Sequence, residues 1–293
     1  MKILITGSHG FVGTHLVKAL EGQHEILRWD IQSEEPLPEV DVVIHLAAKV
    51  HDTKHTTTAE EYFRVNTELT KKLYDQFLRS SAQKFIFFSS IKAQDGDTPY
   101  ALSKRQAERS LDFLRPVGSK RAELERARDD KKVFILRPCM IYGKGMKGNL
   151  LPLLKMMRHG IPWPLAAFEN QRSFASIDNV TYVVEALTTR DVPSGIYPIS
   201  DDEPMSTNDL VMLIRQCQGR PCRMWSIPRG LVRLLARVGD VIKLPLNSER
   251  LKKLTENYVV DNQAIKTALK IPQMPVGIQE GMKRFIQEMI ENP

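Results

Sequence analysis

The chain has 293 residues, 42% of them hydrophobic, 26% charged and 7% aromatic, which excludes fibrous, low-complexity and disulfide-stapled classes and leaves one large α/β unit or two packed domains. Three cysteines, Cys139, Cys217 and Cys222, are too few for a disulfide framework and lack the paired spacing of a zinc site, so a reducing cytoplasm and no metal are expected. The net charge of +7 is spread along the chain, and its densest stretch, "SKRAELERARDDKKV", alternates sign at helical spacing, which reads as a solvated face and not a nucleic-acid patch.

The N-terminal "MKILITGSHG" enters an apolar strand without the long apolar region and cleavage site of a signal peptide. No apolar run reaches the length of a membrane span, so no membrane insertion is expected. "KILIT" (2–6) reads as a first strand ending in glycines, and "FVGTHLVKALEG" as the helix after it. "HEILRWD" (24–30) and "DVVIHLAA" (41–48) are further strands, followed by a long amphipathic helix over 58–81. "KFIFFSS" (84–90) and "KVFILRP" (132–138) bracket a helix that carries "TPYALSK". Apolar runs alternating with helices, with little period-2 pattern, predict an α/β fold: a doubly wound, Rossmann-type parallel sheet covered on both faces. After Ile141 the alternation lapses. The expected division is a dinucleotide-binding domain over 1–145, to which 173–200 returns, and a smaller interleaved lobe over 146–172 and 201–293.

"TGSHGFVG" sets Gly7, Gly10 and Gly13 between strand and helix. Gly7 permits the tight turn, Gly10 lets backbone approach a pyrophosphate, and Gly13 lets the helix pack against the strand. The helix N-terminus offers free N–H groups to the phosphates. Asp30 ends the second strand, where a carboxylate accepts from the ribose hydroxyls of adenosine. It would repel a 2′-phosphate, so NAD is expected, with Arg28 and His9 keeping NADP possible.

Ser89 and Ser90 lie at the C-terminal end of the fourth strand, the edge where open α/β sheets bind ligands. Tyr100 follows inside a helix started by Thr98 and Pro99, and Lys104 comes one turn later on the same face. An ammonium beside a phenol stabilises phenolate and lowers its pKa, and Ser90 can bond the same substrate oxygen. That set moves a proton on and off a carbinol oxygen while hydride moves on carbon.

These residues resemble the extended short-chain dehydrogenase/reductases, the NAD-dependent epimerase/dehydratase family acting on nucleotide sugars. "TGSHGFVG", "HLAA", "YFRVNTELT", "FIFFSS" with "YALSK", and "LRPCMIYGKG" match that family's motifs in order. The tail segments "KGMKGNLLPLL", "NQRSFASIDN" and "ISDDEPMST" resemble the branch of UDP-N-acetylhexosamine 4-keto reductases and 4-epimerases. The resemblance implies a cofactor held by Gly7, Gly10, Phe11, Val12, Gly13, Asp30, Leu46, Ala47, Ala48, Asn66, Tyr100, Lys104 and Pro138. It implies that Ser90 and Tyr100 meet the sugar O4, that Asn149 and Leu150 contact UDP, and that Arg172, with Arg250, pairs with the diphosphate.

Where dehydratases carry an Asp-Glu pair after the active hydroxyl, this chain has Ile91 and Lys92, which points away from dehydration. Met140 stands where UDP-galactose 4-epimerases typically place asparagine. The expected function is therefore a 4-keto reductase of a UDP-linked 6-deoxy-N-acetylhexosamine, acting as a cytoplasmic homodimer. The alternatives are an NAD-retaining 4-epimerase with the same residues and a non-catalytic dinucleotide sensor. His45 reads as a core histidine, and His51 as structural. Cys139 and Tyr142 are expected to wall the nicotinamide pocket, and "RGLVRLLARVGDVIK" to pack the smaller lobe.

Overall fold

Five apolar runs and one returning strand build the sheet on which everything else is mounted. The computed structural model describes residues 1–33, 35–50, 57–111, 131–146, 148, 150–242 and 247–291. Asn149, His51 and most of the charge-alternating stretch before the fifth strand lie outside the described residues.

In chain order, β1 (Lys2–Thr6) leads into α1 (Phe11–Leu20), β2 (Glu25–Trp29) and β3 (Val42–His45). A continuous helix follows: α2 (Ala59–Phe63), a π turn over Arg64–Glu68, and α3 (Leu69–Arg79). Then come β4 (Lys84–Phe88), α4 (Lys92–Asp95), α5 (Pro99–Ser110) and β5 (Lys132–Pro138). The chain continues through β6 (Met140–Tyr142), α6 (Leu150–Arg158), β7 (Phe174–Ser176), α7 (Ile177–Thr189) and β8 (Gly195–Ile199). The remaining elements are α8 (Thr207–Cys217), α9 (Arg229–Ile242), α10 (Ser248–Thr255), α11 (Gln263–Leu269) and α12 (Ile278–Glu291).

Six parallel strands form the main sheet in the order β2-β1-β3-β4-β5-β8, as the alternating pattern requires. The short link between Asp30 and Asp41 returns the chain directly from β2 to β3, so β2 is an edge strand and its burial is partial. The order reverses at β1/β3, the switch point at which such sheets bind ligands. Ile3, Leu4 and Ile5 pair with Ile26, Leu27 and Arg28 on one side and with Val42, Val43 and Ile44 on the other. Leu4, Val43, Phe85 and Ile135 meet Leu73 and Phe77 of α3 in the core of one face. Lys84 opens β4 and sends its ammonium to the carbonyls of Leu187, Thr188 and Arg190 at 2.9, 2.7 and 2.8 Å. It thereby caps the end of α7, whose last carbonyls have no intrahelical donors.

The chain resolves into two compact units. The first contains Met1–Cys139, Ile177–Ile199 and Asp261–Gln273, and so gathers the whole main sheet. Its last segment carries α11, which packs beside β8, although the sequence division leaves that stretch in the smaller lobe. The second contains Met140–Ser176, Ser200–Val260 and Met274–Pro293. It holds a two-stranded parallel sheet of β6 and β7, strands too short for their pattern to be legible in sequence. No helix among the described residues is long and apolar enough to cross a membrane.

Candidate functional site

The glycine turn comes first. Gly7 sits at φ +70°, a left-handed conformation that L side chains resist, and a Cβ there would lie 2.7 Å from the Ala47 nitrogen. Gly10 donates its N–H to the Gly7 carbonyl at 3.0 Å and caps α1, and no side chain caps that helix start. A Cβ on Gly13 would lie 2.3 Å from the Gly7 oxygen and 2.7 Å from the Ser8 Cα. The uncapped amides of the first turn, with no acid among them, and a cradle that any Cβ would fill are what a dinucleotide pyrophosphate requires. Gly13→Ala is expected to weaken NADH binding at least tenfold, roughly the effect of moving backbone away from a charge-assisted hydrogen bond. Fluorescence titration checks this, and wild-type affinity in the variant would remove Gly13 from the cofactor argument.

Asp30 follows β2 on the surface and accepts from the Gln32 N–H at 3.0 Å. Leu46 donates its N–H to the Thr6 carbonyl at 3.2 Å, which carries the β1–β3 pairing past β3. Ala47 donates to the Thr6 hydroxyl at 3.3 Å. Leu46, Ala47, Ala48, Phe11 and Val12 are all half-buried around this edge. Pro138, at the end of β5, accepts the Ile91 N–H at 3.1 Å.

Asn66 has its polar atoms matched within the protein. It lies fully buried on the π turn, where Oδ1 accepts from the Lys49 N–H at 2.8 Å. Its amide donates to the Lys49 carbonyl and the Ser103 hydroxyl, each at 3.0 Å. Asn66 ties the loop after β3 to α5, beside Lys104. The π turn is what rotates it there, a displacement of the kind such turns introduce.

The hydroxyl cluster is built on the end of β4 and the start of α5. Thr98 caps α5 by accepting the Ala101 N–H at 3.2 Å, with Pro99 in the first turn, as the sequence expects. That start places Tyr100, half-buried, close enough to Ser90 for the hydroxyl to bear on its pKa. Tyr62 meets the Tyr100 ring edge-on, with centroids 6.4 Å apart. Lys104 is buried, donates to the Phe88 carbonyl at 2.7 Å, and lies over the Phe87 ring at 4.6 Å.

The electrostatics correct one expectation. Burial raises the Tyr100 pKa above its ordinary value, the Ser90 hydroxyl pulling against it and Tyr62 adding to it. Burial also lowers Lys104 to about 7, with Glu108 holding it up against that penalty. The phenol is thus not depressed: burial outweighs the hydroxyl beside it, and the Lys104 charge is itself costly there.

Glu108 and Arg137 were not legible as site residues. Glu108 is buried one turn after Lys104 and takes both Nε and Nη2 of Arg137, at 3.0 and 2.6 Å, while Ser89 donates to it as well. This cluster joins α5, β4 and β5 directly behind Ser90. An arginine inside the apolar run "KVFILRP" was the available signal, since a charge in a buried strand demands a partner.

His45 is a core residue, fully buried between the hydroxyls of Thr6 (2.7 Å) and Thr70 (2.8 Å). Burial and the Lys104 charge hold it well below its usual pKa. Tyr142, expected at a nicotinamide wall, is buried in the second unit against Phe174 and Phe285 and donates to Asp201 Oδ2 at 2.9 Å. Cys139 is buried at the end of the first unit.

The second unit carries the remaining residues. Leu150 opens α6 with its side chain buried. Arg172 exchanges backbone hydrogen bonds with Met205 at 3.1 and 2.9 Å, and its guanidinium donates to the Lys253 carbonyl of α10. Arg250 lies on the exposed face of that same helix, so the two arginines expected at a diphosphate converge on α10. No metal-ligating cluster occurs among the described residues.

Comparisons with known proteins agree with this geometry. The model of the NAD dependent epimerase/dehydratase family matches residues 3–199. A UDP-glucose 4-epimerase from Vibrio cholerae is 30% identical over 333 aligned positions, covering 99% of this chain and 95% of that one. A UDP-2-acetamido-2,6-beta-L-arabino-hexul-4-ose reductase from Pseudomonas aeruginosa is 31% identical across 55% of this chain and 41% of its own. Among solved structures, the UDP-N-acetylglucosamine 4-epimerase from Bacillus cereus superposes with a TM-score of 0.73 at 18% identity, each chain covered in full at 100%. With its cofactor turn, hydroxyl cluster and sheet order all of that kind, the chain belongs to the NAD dependent epimerase/dehydratase family, as an extended short-chain dehydrogenase/reductase enzyme that uses a nicotinamide dinucleotide.

Proposed function

We propose that the protein inverts C4 of a UDP-linked hexose or N-acetylhexosamine. The observation that carries the chemistry is the meeting of Tyr100, on the first turn of α5, with buried Lys104 one turn on, close to the end of β4 that carries Ser90: it presents a proton-bearing phenol with a second hydroxyl nearby at the ligand edge of the sheet. The turn of Gly7, Gly10 and Gly13 holds the pyrophosphate, and Asp30 accepts from the adenosine ribose. NAD, held there, would supply the hydride acceptor and donor that C4 inversion needs. Tyr100 takes the O4 proton and gives it back, and Ser90 holds O4 on the phenol. Lys104 supplies the charge that stabilises phenolate while that proton is held. Arg172 and Arg250 meet the diphosphate. The three cysteines are free thiols, which suits the cytoplasm as the setting.

Epimerisation is preferred to the reduction expected from sequence because two relatives covered nearly end to end are 4-epimerases. A UDP-linked 4-keto reductase aligned with 55% of the chain and a dTDP-linked one at 20% identity over 83% of it support the second reading. The test is to purify the protein, assay retained NAD, and follow UDP-glucose and UDP-N-acetylglucosamine by NMR. Interconversion of C4 isomers with no net cofactor turnover is expected. Stoichiometric NAD(P)H consumption on a UDP-4-keto-6-deoxy sugar, without interconversion, overturns epimerisation in favour of the reductase.

A further inference from the structure

The helix α9 (Arg229–Ile242) buries only Val232, Ala236 and Gly239. Lobe packing, the role expected from its sequence, uses that narrow stripe and no more. Six large apolar side chains stand in solvent: Leu231 (48%), Leu234 (57%), Leu235 (48%), Val238 (45%), Val241 (81%) and Ile242 (59%). At 100° per residue they fall within about 120° of arc, one continuous face opposite the buried stripe. Trp225, 55% exposed, precedes the helix in the same unit.

The charge around this face is one-sided. Between Asp209 and Asp240 the sequence has no acidic residue; Arg215 there is buried on the Met157 carbonyl, while Arg220, Arg223, Arg229, Arg233 and Arg237 are exposed. Arg229, Arg233 and Arg237 repeat every fourth residue, so they form a stripe along one flank of the apolar face. Asp240, the one acid of α9, accepts two hydrogen bonds from Ser248.

We propose that α9 is an interfacial helix that seats the protein on an anionic lipid surface. Its apolar face enters the boundary between headgroups and acyl chains, and its arginine flank meets the lipid phosphates. The helix has 14 residues, a length of about 21 Å, too short for a hydrocarbon core of about 30 Å, so it lies on the surface and does not span it. The exposed apolar patch is on the order of 500 Å², at the upper end of what a monomer leaves in water. A second copy is the poorer occupant: the patch falls short of the roughly 800 Å² per partner of a standard interface, and a two-fold contact would bring two arginine stripes together with no matching acids. The proposal stands whichever reaction the site performs.

The experiment is co-sedimentation of the intact protein with vesicles of phosphatidylcholine alone and with one third phosphatidylglycerol, at low and high salt. Binding to the anionic vesicles that weakens with salt is expected. The double variant Leu234→Ser/Val238→Ser should lose about tenfold or more in vesicle affinity while keeping NAD and its melting temperature, since both side chains are in solvent in the fold. Arg233→Glu/Arg237→Glu should lose binding by a similar factor and remove its salt dependence. Absence of wild-type binding, or undiminished binding by both variants, overturns the proposal. A wild-type dimer that the serine variant converts to monomer in light scattering also overturns it, by showing that a second copy covers the face.

Discussion

Tyr100→Phe is expected to lower turnover by about 10²–10⁴-fold, the range for losing a positioned general acid–base group, while leaving NAD affinity unchanged. Phenylalanine keeps the ring that meets Tyr62 edge-on and removes only the phenol oxygen. KM should move little, because the lost interaction is one that matters when the O4 proton is in transit. A pH readout separates this from mere disturbance of the pocket. Burial holds the Tyr100 pKa above its ordinary value, so near neutrality the phenol is protonated and ready to give its proton to a ketone. The oxidative half-reaction needs the base form, so its rate should climb with pH until bound cofactor and substrate bring the phenol to titration. That climb should vanish in the phenylalanine variant. A variant with wild-type turnover would falsify the role of Tyr100 outright.

The cofactor half of this site was readable in sequence because backbone, not side-chain choice, does the binding. Gly7, Gly10 and Gly13 are required by a turn with Cβ clearances of 2.7 and 2.3 Å at its first and last glycine, and that requirement survives as three letters at fixed spacing. Thr98 and Pro99 fix where α5 starts, and the start decides where Tyr100 points. That the sheet is parallel and doubly wound was legible for a similar reason, since strands joined by helices leave few right-handed topologies.

What escaped were features made by tertiary packing. Glu108 sits in "ALSKRQAERS", which reads as a charged, solvated helix face, and its burial follows from Arg137, 29 positions later. Asn66 follows the asparagine motif, but the π turn that rotates it into the protein has no sequence signature among the ordinary helix formers around it. Tyr142 faces Phe174 and Phe285, a placement set by residues far along the chain. In α9 the helical period was right and the burial was wrong, because amphipathicity gives the apolar face and not what covers it.

Glu108→Gln should be among the more damaging polar changes in the first unit. The Arg137 and Glu108 side chains are 17% and 5% exposed, and removing one partner of such a pair leaves a buried charge. The loss is about 3 kcal/mol, the low end of the usual range because Arg137 keeps some water, or a melting temperature lower by roughly 10 °C. The size of this loss should depend on pH, and the sign follows from Lys104. An unfolded lysine takes its proton near pH 10.4, whereas folded Lys104 waits until about 7. Stability therefore falls as pH drops from about 10 to 7 and levels below that, since the unfolded state binds the extra proton only in that window. Without the Glu108 charge, Lys104 resists its proton to still lower pH, so the fall continues past 7. The gap in melting temperature between wild type and variant should thus be wider at pH 6 than at pH 9. His45, also held below its unfolded value by burial, lowers the stability of both proteins as pH falls toward 6 and so cancels from the gap to first order. An equal gap at both pH values would separate Glu108 from Lys104 and leave it a strut alone. Glu108→Leu combined with Arg137→Met should recover most of the melting temperature, because an apolar pair leaves no charge unpaired. That double variant would still lack the carboxylate beneath Lys104, and its activity should stay low while its stability returns.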